Sequence, residues 1–266
     1  MPDLQATKAD PRCNELANIL AEARREARQI RSLRSELVPT THDSGYAVNR
    51  MVVERLGWDV LGWKIAGTTA AVREKLSIDR PIYGRTFKRF ATQSPATLLH
   101  RELLDPLIEC EFFVTLADDL PSRAEPWTEA EVTAKVGAVH AGIEIAECRF
   151  PFTALPSLSA ILADGSASGR YVYGGSIANR RDRLARIEVS LEVDGQIRRR
   201  GVGADVMGNP LAPLLWLAEE LRRWGQGLKA GEMISTGSTT GMLPIHEGQH
   251  VHAWFGTDAD VEIMFK

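Results

Sequence analysis

Two glutamates one residue apart lie in an apolar segment of the sequence. Glu109 and Glu111 belong to IECEFFV, residues 108–114, and side chains at positions i and i+2 of a strand point to the same face. Two carboxylates held together away from water repel each other, and a divalent cation or an arginine usually resolves that conflict. Glu144 has a similar apolar setting in GIEIA, residues 142–146. If it joins the pair, the three carboxylates form an all-oxygen site suited to a hard ion such as Mg²⁺ or Mn²⁺.

A surface strand is the alternative explanation for these glutamates. On that interpretation the outer face of a strand happens to carry acidic side chains and binds no ion. The apolar neighbours argue against it, because Phe113 continues the face of the glutamate pair and Ile143 and Ile145 flank Glu144. Short carboxylate patterns recur by chance, so the spacing alone leaves both interpretations open.

Lys64 lies in another apolar segment, LGWKIAG, residues 61–67. A buried lysine there would be reactive, with a pKa lowered by desolvation or set by a nearby carboxylate. A lysine at a strand edge that extends its ammonium group to water is the alternative, and the residues alone favour it. Asp79, in LSIDRPIYG, residues 76–84, is on its own typical of a turn before a proline.

Two glycine-rich segments lie beside predicted strands. The segment ADGSASG, residues 163–169, precedes one strand, and TGSTTG, residues 236–241, follows another. The second segment could direct backbone N–H groups at an anion. Neither matches a phosphate-binding loop, which needs its lysine and helix, so ordinary turns are the favoured interpretation.

The remaining reactive side chains indicate no further catalytic class. His246, His250 and His252 cluster near the C-terminus, but neither paired cysteines nor a helical i, i+4 spacing accompanies them, which argues against zinc. The three cysteines are too few and too scattered for a disulfide framework. There is no Gly-x-Ser-x-Gly motif, so a serine hydrolase lacks support.

Composition and charge narrow the class of protein. The chain has 266 residues, of which 44% are hydrophobic and 25% charged, an ordinary globular composition. A formal net charge of -3 and a pI near 6.1 argue against nucleic acid or a membrane surface as a partner. The start of the sequence is polar, without a hydrophobic signal core, and no stretch approaches the length of a membrane span. We therefore expect a cytoplasmic protein.

Hydrophobic periodicity predicts helices at the start of the chain and mostly strands afterwards. Apolar positions spaced for one helical face predict a helix within 14–38, and Thr41 or Asp43 would cap a second helix. A later helix would begin at Asn209 and end at Gly225. Strands are predicted at 61–66, 107–116, 137–147, 171–178, 186–193, 231–236 and 250–264.

This order of elements is an α+β pattern rather than a series of alternating βαβ units. We predict an N-terminal helical region over residues 1–60 and a mixed β catalytic domain over residues 61–266. Within that domain, Asp194-Gly195 predicts a hairpin turn, since this dipeptide tolerates positive φ.

Taken in order, these segments resemble the 2-keto-4-pentenoate (2-hydroxypenta-2,4-dienoate) hydratase group of the fumarylacetoacetate hydrolase superfamily. The resemblance covers the chain from about Asp43 to its end, and the shared order of short motifs makes it specific. The matching landmarks are Tyr46-Ala47-Val48, Gly62-Trp63-Lys64-Ile65-Ala66-Gly67, Asp79-Arg80-Pro81-Ile82-Tyr83-Gly84, Glu109-Cys110-Glu111, Gly142-Ile143-Glu144-Ile145, Gly208-Asn209-Pro210-Leu211, Leu228-Lys229-Ala230-Gly231-Glu232 and Thr236-Gly237-Ser238.

The resemblance implies a fumarylacetoacetate-hydrolase-like fold, a mixed β-sandwich roll with an N-terminal helical region. A glutamate as third metal ligand is typical of its hydratase and decarboxylase branch, whereas the C–C hydrolases usually carry aspartate and need a His–Glu pair. The implied site residues are Glu109, Glu111 and Glu144 around Mg²⁺ or Mn²⁺, Lys64 and Asp79 as catalytic groups, and Thr236, Gly237 and Ser238 near the substrate carboxylate.

The implied reaction is a metal-assisted hydration by a hydro-lyase. A 2-hydroxy-2,4-dienoate, or its 2-oxo tautomer, chelates a cation through its carboxylate and the adjacent oxygen, and the cation stabilises the enolate formed when protons move. Lys64 and Asp79 would shuttle those protons. Water then adds to give a 4-hydroxy-2-oxo acid.

Three alternatives share parts of this site. A decarboxylase of a 2-oxo-enedioate, of the 4-oxalocrotonate type, would add a buried cation for the far carboxylate, with Arg85 and Arg149 as candidates. An acylpyruvate hydrolase would need a His–Glu pair, and none is evident near His42. A non-catalytic partner subunit is disfavoured by the intact glutamates and Lys64. The resemblance also implies a homo-oligomer that associates with a pathway enzyme of aromatic catabolism.

Overall fold

The structure, a computed structural model, describes residues 10–177 and 181–266. Its helices and strands follow one another along the chain as α1 (Pro11–Arg25), α2 (His42–Leu56), β1 (Val60–Ala66), α3 (Ala70–Leu76), β2 (Ile82–Phe87), β3 (Ala91–Gln93), β4 (Ala96–Leu98), β5 (Leu107–Leu116), α4 (Glu129–Ala134), β6 (Val136–Ala146), α5 (Leu158–Ala163), β7 (Arg170–Ser176), β8 (Glu188–Val193), β9 (Gln196–Val202), α6 (Ala212–Arg222), β10 (Met233–Ser238), β11 (Leu243–Pro244), β12 (His250–Phe255) and β13 (Ala259–Phe265).

The strands form two sheets. In the larger sheet the order is β2-β1-β10-β5-β6-β7-β3, with β11 paired to β5, and in the smaller sheet it is β4-β13-β12-β8-β9. Strand β1 runs parallel to β10, whereas β10 and β5, and then β5 and β6, are antiparallel. Strands β1, β10, β5 and β6 therefore lie side by side, although β1 ends at Ala66 and its neighbour β10 begins only at Met233.

The two faces of β5 have different roles. Ile108, Cys110, Phe112 and Val114 alternate along one face and belong to the main apolar core. Phe112 meets Phe255 of β12 edge to face, with ring centroids 5.2 Å apart, a favourable geometry for two aromatic rings. The smaller sheet thus covers the apolar face of β5, and the glutamate pair lies on the other face.

The prediction of a second helix is confirmed by α2. The side chain of Thr41 accepts a hydrogen bond from the backbone N–H of Ser44, and the Ser44 side chain accepts one from the Thr41 backbone in return. These bonds satisfy donors that no helical carbonyl can reach. Gly57 ends the helix with φ of 60°, a conformation that glycine adopts without strain.

The first predicted helix is too long. It was expected within 14–38, but α1 ends at Arg25. Ala27 adopts a left-handed conformation with φ of 48°, which a right-handed helix cannot continue. The backbone N–H of Ile30 then donates to the carbonyl of Arg149, so a tertiary hydrogen bond replaces the helical one.

The helix predicted to begin at Asn209 starts a few residues later, at Ala212. The Asn209 side chain accepts a hydrogen bond from the backbone N–H of Leu211 at 2.9 Å, and so it stabilises the turn that leads into α6 instead. Gly225, with φ of 66°, follows the end of this helix as predicted.

Most predicted strands are confirmed to within a few residues. The range 250–264 is an exception, because it contains two antiparallel strands, β12 and β13, joined by a turn. The last position of the range 171–178 lies outside the described residues. The hairpin at Asp194-Gly195 is confirmed, with φ of 52° and 77°. No helix among the described residues is long and apolar enough to cross a membrane.

Candidate active site

Three glutamate side chains meet on the larger sheet. Glu109 on β5 lies directly opposite Glu144 on β6 in the antiparallel register, and Glu111 follows Glu109 on the same face of its strand. One carboxylate oxygen from each of the three lies within 4.8 Å of the others. Their exposed fractions are only 6%, 1% and 0% for Glu109, Glu111 and Glu144. The structure therefore brings together the three residues that the sequence singled out.

Lys64 reaches the same cluster from β1. Its Nζ lies 3.1 Å from Oε1 of Glu144, and its side chain is 1% exposed. The interpretation that the residues alone favoured, a strand-edge lysine in contact with water, is wrong. Strand β1 is not an edge strand, because it lies between β2 and β10, and the ammonium group finds a carboxylate rather than solvent.

Burial and mutual repulsion change the titration of this cluster. Desolvation, together with repulsion from Glu144, raises the pKa of Glu109 to about 7. The same two causes raise the pKa of Glu111 well above its ordinary value. Burial acts to lower the pKa of Lys64, but attraction to the three carboxylates outweighs it and the pKa is raised. One ammonium group thus only partly compensates three carboxylates, and the cluster as a whole favours an additional positive charge.

Strand β10 supplies donors that hold Glu111. The hydroxyl of Ser235 donates to Glu111 and lies 3.4 Å from Oε2 of Glu144. The backbone N–H of Gly237 donates to Oε2 of Glu111 at 2.8 Å. Gly237 has φ of 104°, and a Cβ added there would lie 2.2 Å from Oγ1 of Thr68. Only glycine fits this position, because any other residue would be strained at this φ and its Cβ would clash with Thr68.

The segment predicted to contact the substrate carboxylate is occupied by contacts within the protein. The Thr236 hydroxyl donates to the carbonyl of Phe112 at 2.9 Å. The Ser238 hydroxyl accepts from the backbone N–H of Gly241 at 2.8 Å and lies near enough to Glu109 to lower the pKa of its carboxyl group, which burial raises more strongly. Thr236, Gly237 and Ser238 thus hold the glutamate carboxylates and strand β5 in place. The contact of these three residues with substrate stays a prediction.

Asp79 is not joined to the cluster. Its side chain is 78% exposed, and its carboxylate pairs with the guanidinium of Arg80, with Oδ1 and Nε 3.2 Å apart. Within the part of the chain that the structure describes, no hydrogen bond or ion pair links Asp79 to Lys64 or to the glutamates. Its catalytic role therefore stays a prediction.

One hydroxyl group that orients Glu144, that of Tyr171, was not identified from the sequence. The hydroxyl of Tyr171 on β7 lies 3.4 Å from Oε1 of Glu144 and 2.9 Å from Oγ of Ser168. Tyr171 is directly opposite Glu144 in the β6–β7 register. Its position at the start of the strand predicted at 171–178 was the only signal, and only the pairing of β6 with β7 identifies its partner.

The two arginines proposed for a second substrate carboxylate have other partners. Arg85 Nη1 lies 2.6 Å from Oε1 of Glu232. Arg149 is buried and binds Asp164, with Nε and Oδ1 3.1 Å apart. Asp164 also pairs with Arg24. Among the described residues, neither candidate arginine contacts Lys64 or a glutamate of the cluster.

No family model matches the chain, but comparison with known proteins finds relatives of similar sequence. The sequence is 30% identical over 238 residues to a 2-keto-4-pentenoate hydratase of Paraburkholderia xenovorans, an alignment that covers 88% of this chain and 87% of the relative. The chain belongs to the 2-keto-4-pentenoate hydratase family. Its relatives also include a 4-oxalocrotonate decarboxylase of Pseudomonas putida, which is 27% identical over 89% of this chain and 90% of that protein.

Comparison with solved structures shows that this member of the 2-keto-4-pentenoate hydratase family has the fumarylacetoacetate hydrolase fold. The 4-oxalocrotonate decarboxylase of Pseudomonas putida, complexed with magnesium and adipate, superposes with a TM-score of 0.87 and 24% identity, covering 96% of this chain and 97% of the other. A fumarylpyruvate hydrolase of Pseudomonas aeruginosa, in complex with Mn²⁺ and pyruvate, gives a TM-score of 0.55 with 14% identity over 79% and 91% of the two chains. The expected α+β fold, a mixed β-sandwich roll, is confirmed.

Proposed function

We propose that this protein is a divalent-metal-dependent hydro-lyase that adds water to a 2-hydroxy-2,4-dienoate of the 2-keto-4-pentenoate type and forms a 4-hydroxy-2-oxo acid. The observation that carries the proposal is the buried cluster of Glu109, Glu111 and Glu144 with Lys64 at 3.1 Å. The 30% identity to a 2-keto-4-pentenoate hydratase over most of both chains supports the choice of reaction.

The donor set fits a hard divalent cation. Three carboxylates offer oxygen ligands only, which is the chemistry that Mg²⁺ and Mn²⁺ prefer. The raised pKa values of Glu109 and Glu111 have burial and mutual repulsion as their causes, and a cation among the carboxylates would relieve both. We propose that Glu109, Glu111 and Glu144 bind Mg²⁺ or Mn²⁺. When bound, the ion supplies Lewis-acid stabilisation of negative charge on the substrate's carboxylate and 2-oxygen.

Lys64 is the proposed acid–base group. Its ammonium group is buried beside Glu144, and burial removes the water that would otherwise compete for its protons. A protonated lysine at this position can give a proton to the terminal carbon of the dienol as the 2-hydroxyl group loses its own. When the hydroxyl group of water then adds at carbon 4, the proton of water returns to the lysine and the proton lost by the 2-hydroxyl is taken up at carbon 3. The Tyr171 hydroxyl holds the carboxylate partner of Lys64 in place.

Two further parts of the site are proposals that require a change on substrate binding. Asp79 is the second acid–base candidate, and it would have to leave Arg80 and approach the cluster. Thr236, Gly237 and Ser238 remain the proposed neighbours of the substrate carboxylate, and Ser238 lies near enough to Glu109 to affect its pKa. A homo-oligomer, association with a pathway enzyme and a cytoplasmic location also remain proposals from family resemblance.

Hydration is favoured over decarboxylation by the positions of two arginines. A 2-oxo-enedioate has a second carboxylate, and its recognition calls for a cation beside the cluster. Arg85 is paired with Glu232 and Arg149 with Asp164, so both candidates are already neutralised. A substrate with a single carboxylate suits this arrangement. The intact cluster and Lys64 also disfavour a non-catalytic partner subunit.

The experiment is a direct assay of the purified full-length chain. With Mg²⁺ or Mn²⁺ and 2-hydroxypenta-2,4-dienoate, the ultraviolet absorbance of the dienol should disappear and a 4-hydroxy-2-oxo acid should accumulate. A parallel reaction with a 2-oxo-enedioate is monitored for CO₂. Release of CO₂ with no hydration of the monocarboxylate would replace the hydratase by a decarboxylase, and inactivity in both assays with metal present would contradict the proposal.

A further inference from the structure

A second polar pocket lies at the edge of the larger sheet, between α2 and strand β2. Its volume is about 170 Å³. Two guanidinium groups line it, those of Arg50 on α2 and Arg85 on β2, together with Tyr83, Trp63 and the exposed side chain of Glu54. None of these side chains has a role in the proposed hydration.

This pocket is on the opposite face of the sheet from the candidate active site. In the β1–β2 register Lys64 pairs with Gly84, while Trp63 pairs with Arg85. Neighbouring residues of a strand point to opposite faces, so Trp63 and Arg85 are directed away from Lys64 and its carboxylates. A ligand in this pocket would not contact the reacting atoms.

Arg50 brings unsatisfied donors into the pocket. Both of its terminal nitrogens, Nη1 and Nη2, are buried and have no hydrogen-bond partner. The guanidinium carbon lies 3.9 Å from the ring centre of Trp224, so the group is held through its flat face. Stacking of this kind leaves the in-plane N–H groups available, and those are the groups that bind carboxylates and phosphates in pairs.

Tyr83 adds a third buried donor beside Arg50. Its hydroxyl oxygen is also buried and lacks a hydrogen-bond partner. It faces Arg50 closely enough to raise the pKa of the guanidinium, which burial lowers more strongly, but the geometry between them falls short of a hydrogen bond. Buried polar groups are nearly always hydrogen-bonded, because leaving them unpaired is unfavourable. Three unpaired donor atoms close together, Nη1 and Nη2 of Arg50 and the hydroxyl of Tyr83, indicate a place where a hydrogen-bond acceptor binds.

Arg85, in the same pocket, has the hydrogen-bond acceptor that Arg50 lacks. Its guanidinium stacks on Trp63 at 3.4 Å from the ring centre and binds the carboxylate of Glu232 at 2.6 Å. Arg50 stacks in the same way, on Trp224, and Glu54 and Asp43 lie near enough to act on its charge, but no carboxylate accepts a hydrogen bond from its terminal nitrogens. The acceptor that would satisfy these nitrogens is therefore an oxyanion.

We propose that this pocket binds a small oxyanion, a carboxylate or a phosphate group, through the terminal nitrogens of Arg50 and the hydroxyl of Tyr83. The pocket has room for more than one water molecule, because about 10–15 Å³ of such space is enough for one. It lies on the face of the sheet that is directed away from the catalytic groups.

The test is calorimetry on the metal-free, full-length chain with inorganic phosphate, with acetate and, as a control, with chloride. Removing divalent ions matters because a bound cation would attract the same anions to the glutamate cluster. We expect saturable binding of one equivalent of phosphate or acetate. Which of the two binds more tightly identifies the source of the oxyanion.

Three variants locate the binding. Arg50→Gln should weaken it by about tenfold to a hundredfold, the usual effect of losing hydrogen bonds from a charged group. Tyr83→Phe should weaken it less, and Arg199→Gln, which changes an exposed arginine on β9, should have no effect. A folded Arg50→Gln chain that binds as tightly as the original would overturn the proposal, as would absence of saturable binding of both anions. Binding that persists in Glu109→Gln separates this site from the proposed catalytic one.

Discussion

At the scale of single residues, the candidate site depends on an unequal balance of charge. Three carboxylates are buried with one ammonium group, and only Glu144 has a direct ion pair with it. Glu111 is held by neutral donors, the hydroxyl of Ser235 and the N–H of Gly237. These contacts keep the carboxylates directed at one another even though they repel, which is the property of a pre-formed cation site.

Replacing Glu109 by glutamine should abolish tight binding of divalent ions while leaving the fold intact. The amide removes one of three charged ligands but keeps the shape of the side chain, and the pKa of Glu109, already raised to about 7, shows that its charge is costly without a cation. Calorimetric titration with Mg²⁺ and Mn²⁺ measures the effect. Glu247→Gln, at an exposed glutamate, is the control, and equal ion affinity in both variants would count against the site.

Replacing Lys64 by alanine should reduce kcat by about a hundredfold or more, the usual contribution of a positioned proton donor, without loss of the metal. Ion affinity should be kept or increased, because the ammonium group competes for Glu144. Stopped-flow absorbance of the dienol gives the rate and calorimetry the affinity. Lys229→Ala, at an exposed lysine, is the control. An undiminished rate in Lys64→Ala would remove this residue from the mechanism.

Sequence spacing was sufficient to predict part of the site. The i, i+2 pair Glu109 and Glu111 share a face because strands alternate, and this needs no tertiary information. The burial of Lys64 depends on β10, which is formed by residues far along the chain, so no local pattern predicts it. Family resemblance supplied its role, and it also supplied Asp79, whose exposed position was not evident from the motif.

At the scale of elements, β10 connects the two halves of the site. It pairs with β1, which carries Lys64, and with β5, which carries the glutamate pair. The register between β10 and β5 shifts between Ser235 and Ser238, and irregularities of this kind redirect side chains and N–H groups near functional sites. The shift includes Gly237, whose N–H points at Glu111.

Replacing Gly237 by alanine should therefore disturb both stability and ion binding. The new Cβ would meet Thr68 at 2.2 Å, and overpacking of this kind typically lowers the free energy of unfolding by about 1–3 kcal/mol. Gly248→Ala is a matched control, because Gly248 also has positive φ but has nothing within 4 Å of an added Cβ. Urea unfolding and Mg²⁺ titration of both variants give the comparison. Equal losses would mean that the backbone conformation alone, and not contact with Thr68, restricts this position.

The elements that were predicted well are those with long, regular patterns. Strand β5 and helix α2 have clear periodicity and end signals, and both were predicted closely. Helices α3, α4 and α5 were missed because six or seven residues are too few to establish a helical period. Strand β2 follows Pro81 directly, so its start was interpreted as a turn.

At the scale of the whole molecule, the buried carboxylates make stability depend on pH and on metal. The pKa of Glu109 in the folded chain is about 7, above its ordinary value of 4.5. A carboxyl group with a raised pKa binds protons more tightly in the folded state than in the unfolded one. Folding is then most favourable at low pH, where the group is protonated in both states, and it loses stability as the pH rises.

The metal-free chain should lose free energy of unfolding between pH 4.5 and about 7, by a few kcal/mol, because one pKa unit corresponds to about 1.4 kcal/mol. Glu111, whose pKa is also raised, should extend the loss to higher pH. Urea unfolding at a series of pH values measures this dependence, and saturating Mg²⁺ should remove most of it. The profile of Glu109→Gln should be flatter than that of the original chain, and identical profiles would contradict the assignment.

The ion pair between Lys64 and Glu144 has a consequence for how the protein matures. Because one ammonium group already lies among the three carboxylates, the newly made chain carries its own counter-ion and can bury the cluster before any cation arrives. Loading of the metal can then follow folding. Because the ammonium group offsets only one of the three negative charges, a shortage of metal would lower the abundance of this protein in the cell as well as its activity.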